Sequence, residues 1–167
     1  MTLVEVMIAA AIGGIVIAAL ASLTIYTARS IAAVTNYVDM DQYSRKALDR
    51  MTKEIRQADS LSTYSTSQLV FNTAGGANNL TYAYNQYQGT LTRTYGSEVE
   101  VLLKGCDSFT FTIFARNTIS NSFDQFPTTN AANAKLVKMD WLCTRTIFGQ
   151  KVNTESIQSA KIVMRKP

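Results

Sequence analysis

The chain contains no histidine. That absence removes the commonest metal ligand and the usual general base, and with them any Ser/His/Asp or Cys/His nucleophilic arrangement. Prolines and cysteines number two each in 167 residues, and charged side chains make up only 17%. The two cysteines, Cys106 and Cys143, have no CxxC spacing and no companion ligands, which leaves metal binding without support. No Gly-rich phosphate loop is present, since Gly75-Gly76 alone reads as a turn. The expectation is a protein with no catalytic residue, no metal and no cofactor, hence not an enzyme. What is abundant is apolar surface, 47% of residues, which excludes a disordered chain. The length suffices for one domain with a real core but not for two.

Charge is unevenly placed. Residues 1–60 hold six basic and six acidic groups, so the net charge of +4 belongs entirely to the remainder. Its basic residues stand singly along expected strands, the pattern of a solvated face rather than of a nucleic-acid stripe. Tyr82, Tyr84, Tyr87 and Tyr95 with Arg93 offer a stacking surface for single-stranded DNA, weighed against ordinary packing within a sheet. Binding to DNA or to surfaces has no further support.

From Val6 to Ala28 no charged residue occurs, and Val6 to Leu23 is almost entirely Val, Ile, Leu, Met, Ala and Gly. Such a run is long enough to cross a bilayer as a helix. A signal peptide carries basic residues before its apolar run and a small-residue cleavage site after it; the charge near the start of this run is instead an acid, Glu5. Placed about one turn into an apolar helix, an ionised carboxylate costs several kcal/mol unless it keeps water or finds a cation. No Lys or Arg lies nearby in its own chain. A neighbouring copy shifted along its axis could bring its α-amino group at Met1 to Glu5; the plainer reading is a membrane anchor with Glu5 in the headgroup layer. Ala10, Gly14, Ala18 and Ser22 recur at spacing four, with Ala9, Gly13 and Ala21 on a nearby stripe, so helices could approach closely there. Gly13-Gly14 is also a weak point, where the helix could extend or melt on assembly.

The segment Met1-Thr-Leu-Val-Glu5-Val-Met-Ile-Ala-Ala-Ala resembles the mature N-terminus of type IV pilins and pseudopilins, in which an acid stands fifth in an apolar helix. The resemblance implies that a prepilin peptidase has removed a leader and that the new amine is methylated, so that the chain is expected to be the processed form. It also implies an inner-membrane precursor that the pilus assembly machinery packs into an extracellular filament. Family pilins often carry Pro at position 22, where this chain has Ser22.

Beyond the apolar run, Ile31, Val34 and Val38, then Leu48, Met51, Ile55 and Ala58, fall at spacings of three and four, and no proline interrupts. Asp41 to Arg45, Asp49 to Lys53 and Arg50 to Glu54 are opposite-charge pairs at i, i+4. One helix of about 58 residues, roughly 87 Å long, is predicted. From Asp59 onward the text is Ser, Thr and Asn rich with alternating apolar positions. Strands are predicted at 68–72, 80–84, 90–94, 98–103, 109–115, 136–148 and 156–165, with turns at Gly75-Gly76 and Gln88-Gly89 and an exposed polar loop over 117–134. The fold class is α+β, a long N-terminal helix on a mostly antiparallel sheet. The domains are an apolar membrane or filament-core helix, 1–28; an amphipathic helix packing on the head, 29–59; and a β-rich head, 60–167.

The segment Ala47-Leu-Asp-Arg-Met-Thr-Lys-Glu-Ile-Arg-Gln-Ala58 followed by a β domain resembles the W-type minor pilins and J-type pseudopilins of secretion systems. In an exported head, Cys106 and Cys143 are expected to form a disulfide worth up to about 4 kcal/mol by loop entropy, with two buried thiols as the other possibility. Three functions compete: a structural subunit assembling with copies of itself in a helical filament; a low-abundance pilin or pseudopilin that primes or caps a pilus or secretion pseudopilus; and a membrane-anchored periplasmic binding domain.

Overall fold

A computed structural model describes residues 2–73, 79–122, 124–147, 150–151 and 156–165. It opens with one helix, α1 (Leu3–Gln57), of 55 residues. Among the described residues eleven strands follow: β1 (Ser60–Tyr64), β2 (Gln68–Asn72), β3 (Asn79–Asn85), β4 (Thr90–Tyr95), β5 (Glu98–Lys104), β6 (Cys106–Ala115), β7 (Phe126–Thr128), β8 (Ala134–Cys143), β9 (Thr146–Ile147), β10 (Gln150–Lys151) and β11 (Ser156–Val163). The α+β class is the one expected, but the strands divide into two main antiparallel sheets. The first is the meander β1-β2-β3-β4-β5, the second has the order β11-β8-β6-β7, and β9 and β10 make a small hairpin.

Local chemistry explains most boundaries. Asn85 Oδ1 accepts the backbone N–H groups of Tyr87 and Gln88 at 3.0 and 3.2 Å, turning the chain between β3 and β4. Gly89 closes that turn at φ +59°, where a Cβ would lie 2.9 Å from the Cys106 carbonyl oxygen; only glycine fits. The other expected turn, Gly75-Gly76, lies outside the described residues.

Three expectations need correction. The long strand predicted to Phe148 ends at Cys143 as β8, and Phe148 itself lies outside the described residues. The segment 117–134 is not irregular throughout: β7 pairs with the end of β6, and a 3-10 turn over Ala131–Asn133 follows. β1 was not anticipated, because SLSTY has one apolar residue facing inward, Leu61.

Only the outer part of α1 is packed. Met40, Ser44, Ala47, Met51 and Ile55 are its buried residues, at spacings of three and four. Ile31, Val34 and Val38 continue the same period yet stay exposed, so the buried residues of α1 begin at Met40. Met51 and Ile55 are fully covered, each worth about 1.5–3 kcal/mol. They belong to one continuous core with inward side chains of the first sheet, such as Leu69, Phe71, Leu80 and Leu91. In the second sheet Phe109 stacks on Trp141 with ring centroids 5.6 Å apart, and Trp141 Nε1 donates to Ser44 Oγ on α1 at 3.4 Å. The two sheets are tied together by Tyr64, whose hydroxyl donates to the Phe111 carbonyl at 3.1 Å, and by Tyr84, which reaches the Cys106 carbonyl at 2.9 Å.

Candidate functional site

The sequence points to the inner half of α1 as the part that acts. Its first turn is closed by Thr2 and Glu5: the Thr2 backbone N–H donates to Glu5 Oε2 at 2.8 Å, and the Glu5 N–H to Thr2 Oγ1 at 3.4 Å. This reciprocal capping box satisfies two helix-end donors. Its signature, Thr-x-x-Glu, is visible in the sequence, and Thr2 is the residue that reading for Glu5 alone passes over. The box supplies hydrogen bonds but no positive charge, so the carboxylate still needs either water or a cation. Met1, expected to supply the amine from a neighbouring copy, lies outside the described residues.

From Val6 to Ile31 every residue except half-buried Gly13 is exposed. An 18-residue window within α1 has mean hydropathy 2.5 with nothing buried, which makes the helix long and apolar enough to cross a membrane. Ser22, Thr24 and Thr27 turn their hydroxyls back on the carbonyls of Ala18, Leu20 and Leu23 at 2.8–2.9 Å. Their polar hydrogens are thereby satisfied without water, the condition an apolar surrounding imposes. Ala10, Gly13, Gly14 and Ala18 all lie on this uncovered stretch, and a Cβ built on either glycine meets nothing within 4 Å. The close-packing stripe is thus open to another helix.

The outer half is anchored by a cluster that the sequence did not announce. Arg93, its side chain only 7% exposed, reaches from β4 to Glu54 on α1, with Nε 2.9 and 3.0 Å and Nη2 2.8 Å from the carboxylate oxygens. The Tyr82 hydroxyl donates to Glu54 Oε2 at 2.5 Å, and Arg50 bridges Glu54 to Glu100 on β5. Burial pushes the Glu54 carboxyl up, but the bonds from Arg93, Tyr82 and Arg50 outweigh it and hold it below the usual carboxylate range. Burial first, and then the Glu54 carboxylate, drive the Tyr82 phenol far above its ordinary value. The tyrosine surface imagined for nucleic acid is therefore not formed. Tyr82 and Arg93 are buried against α1, while Tyr87 stands wholly exposed on the β3–β4 turn.

Cys106 and Cys143 lie opposite each other at one end of the β6–β8 pair and are joined as a disulfide. The bond spans 37 positions and ties the strand that begins the second sheet to the strand that crosses its centre. Among the described residues, no group of three His, Cys, Asp or Glu side chains comes together to hold a metal ion. Comparison with family models, with curated proteins and with solved structures finds no match to this chain. The function must therefore be argued from the geometry.

Proposed function

We propose that this chain is a structural subunit of a type IV pilus-like filament, held in the inner membrane by α1 before assembly and packed helix to helix with copies of itself afterwards. The observation that carries the proposal is the uncovered apolar half of α1, continuous with a half that is bolted to a folded head. A helix apolar on every side must be covered by lipid or by other helices, and this one has small residues where helices would approach most closely. Glu5 supplies the register. In a bilayer it can sit at the interface with its capping box intact; in a dry bundle its charge must be met by a cation, and the amine of an axially shifted copy is the nearest source. The same requirement rejects a chain whose N-terminal amine lies elsewhere, which is how processing by a prepilin peptidase would gate assembly.

The head stays outside the bundle because its core is complete without the inner helix. Filaments imaged on cells that express the chain, and lost when its gene is removed, would support this reading. Subunit abundance in those filaments separates a main component from a priming or capping one. Cells that make stable, membrane-inserted chain but never a filament would overturn it in favour of an anchored periplasmic domain.

A further inference from the structure

Where the first sheet passes into the second, a cavity of about 300 Å³ opens between α1 and the head. Met40, Val101 and Leu102 give it apolar walls, Lys104 and Arg145 place two cations on it, and Cys143 of the disulfide lines it. Strand register fixes its position. Cys143 faces Cys106 at the first residue of β6, whereas at the last residue Ala115 faces Phe126. The chain between β6 and β7 forms a tip at that far end. Its sequence is polar apart from Ile119 and Phe123, the latter outside the described residues; Ile119, and Phe126 where β7 begins, are 56% and 37% exposed, and the exposed carboxylate of Asp124 lies between them.

We propose that Ile119, Asp124 and Phe126 at this end of one copy dock on the cavity of the next copy, with Asp124 meeting Lys104 and with Ile119 and Phe126 covering the apolar walls. The proposal rests on the filament reading and adds to it a contact between heads. Its first support is charge. Among the described residues Lys104 has no ion pair, and the Asp124 carboxylate accepts from the Ser122 hydroxyl at 2.6 Å without a cation beside it. Its second support is distance. Ten residues of β6 separate the two features, which at about 3.3 Å per residue is about 30 Å, so a tip cannot reach the cavity of its own head. Complementary features at opposite ends of one molecule make a head-to-tail contact that repeats without closing, the kind that builds a filament. A lipid tail is a poor occupant. From Ala28, where the apolar run ends, to Met40 the helix climbs about 18 Å, well clear of the hydrocarbon layer.

The test uses filaments of the full chain, built from a mixture of isotopically light and heavy subunits. A photoreactive benzoylphenylalanine replaces Ile119, and the linked peptides are identified by mass spectrometry. The expected result is a mixed-isotope link to the peptide bearing Met40 or to that bearing Val101–Lys104. Lys104→Glu should cut the linked fraction about tenfold, and adding Asp124→Lys should restore it to within about threefold, because reversing both members of a facing pair returns the attraction. Both residues are on the surface, so folding is not at stake. Links from Ile119 to another surface, or a Lys104→Glu chain that links as well as wild type, would overturn the tip-in-cavity contact and leave the filament reading intact. Wild-type chains that never assemble would remove both.

Discussion

The two halves of α1 share one secondary structure and almost nothing else. Beyond Met40, buried side chains recur every three or four residues, and each has a counterpart in the head: Ser44 meets Trp141, Glu54 meets Arg93 and Tyr82, and Met51 and Ile55 fill the core. Before Met40 the helix is apolar on all sides as far as Ala28, and its large side chains stay exposed. An amphipathic helix is stabilised by the one face it buries; an apolar helix without a partner is stabilised by nothing in its own chain. One half is therefore explained by the subunit, and the other only by what surrounds it.

Substitutions on either side of Met40 should separate the two halves. The largest effect is expected from Glu5→Ala, which should abolish filaments while leaving membrane-inserted chain whose head unfolds at the same urea concentration as wild type. Normal filament yield from that variant, in cells lacking wild-type subunit, would reduce Glu5 to a capping residue of an ordinary anchor. On the other half, Glu54→Ala leaves the buried Arg93 guanidinium with only the long ion-pair contact to exposed Glu98 at 3.9 Å and should cost about 3 kcal/mol, read as a lower urea midpoint of the detergent-solubilised chain. A loss below about 1 kcal/mol would mean that water reaches Arg93 freely.

A matched pair of truncations draws the boundary itself. Met51→Ala should cost about 2–5 kcal/mol because it empties a fully covered site. Leu20→Ala, on the bare half, should leave head stability within about 0.5 kcal/mol. Equal losses would show that the inner helix is folded against the head after all. The smallest effect is a pH dependence. The folded Glu54 carboxyl ionises below its usual range, so its contribution is complete above the ordinary carboxylate pKa and disappears as pH falls through the folded value. Wild-type stability should fall on acidification, and Glu54→Gln should flatten that limb of the curve; an unchanged slope would show that another carboxylate sets it.

Much of this molecule is legible from local pattern. The apolar run, the acid at position five, the 3-and-4 spacing from Leu48 to Ala58, and the alternation that marks β2 through β6 all depend on neighbours a few residues away. Two of the three expected i, i+4 ion pairs, Asp41–Arg45 and Arg50–Glu54, form as spacing implies. The short strands were the hard ones: β1 and β7 are held in register by β2 and β6, and their own residues carry little apolar alternation.

By itself, then, the order of residues determined the helix, its uncovered half, the acid at position five and the α+β class, because each is read from neighbours a few residues apart. Tertiary structure alone decided where packing on α1 begins, how the strands divide between two sheets, and that Glu54, Tyr82 and Arg93 meet. Periodicity says which face a side chain takes, not which distant face it will find. Glu54 and Arg93 are 39 positions apart, Ser44 and Trp141 are 97, and the cavity lies between elements whose separation depends on how every strand before it is stacked. Those contacts form only when the whole head closes on the outer helix.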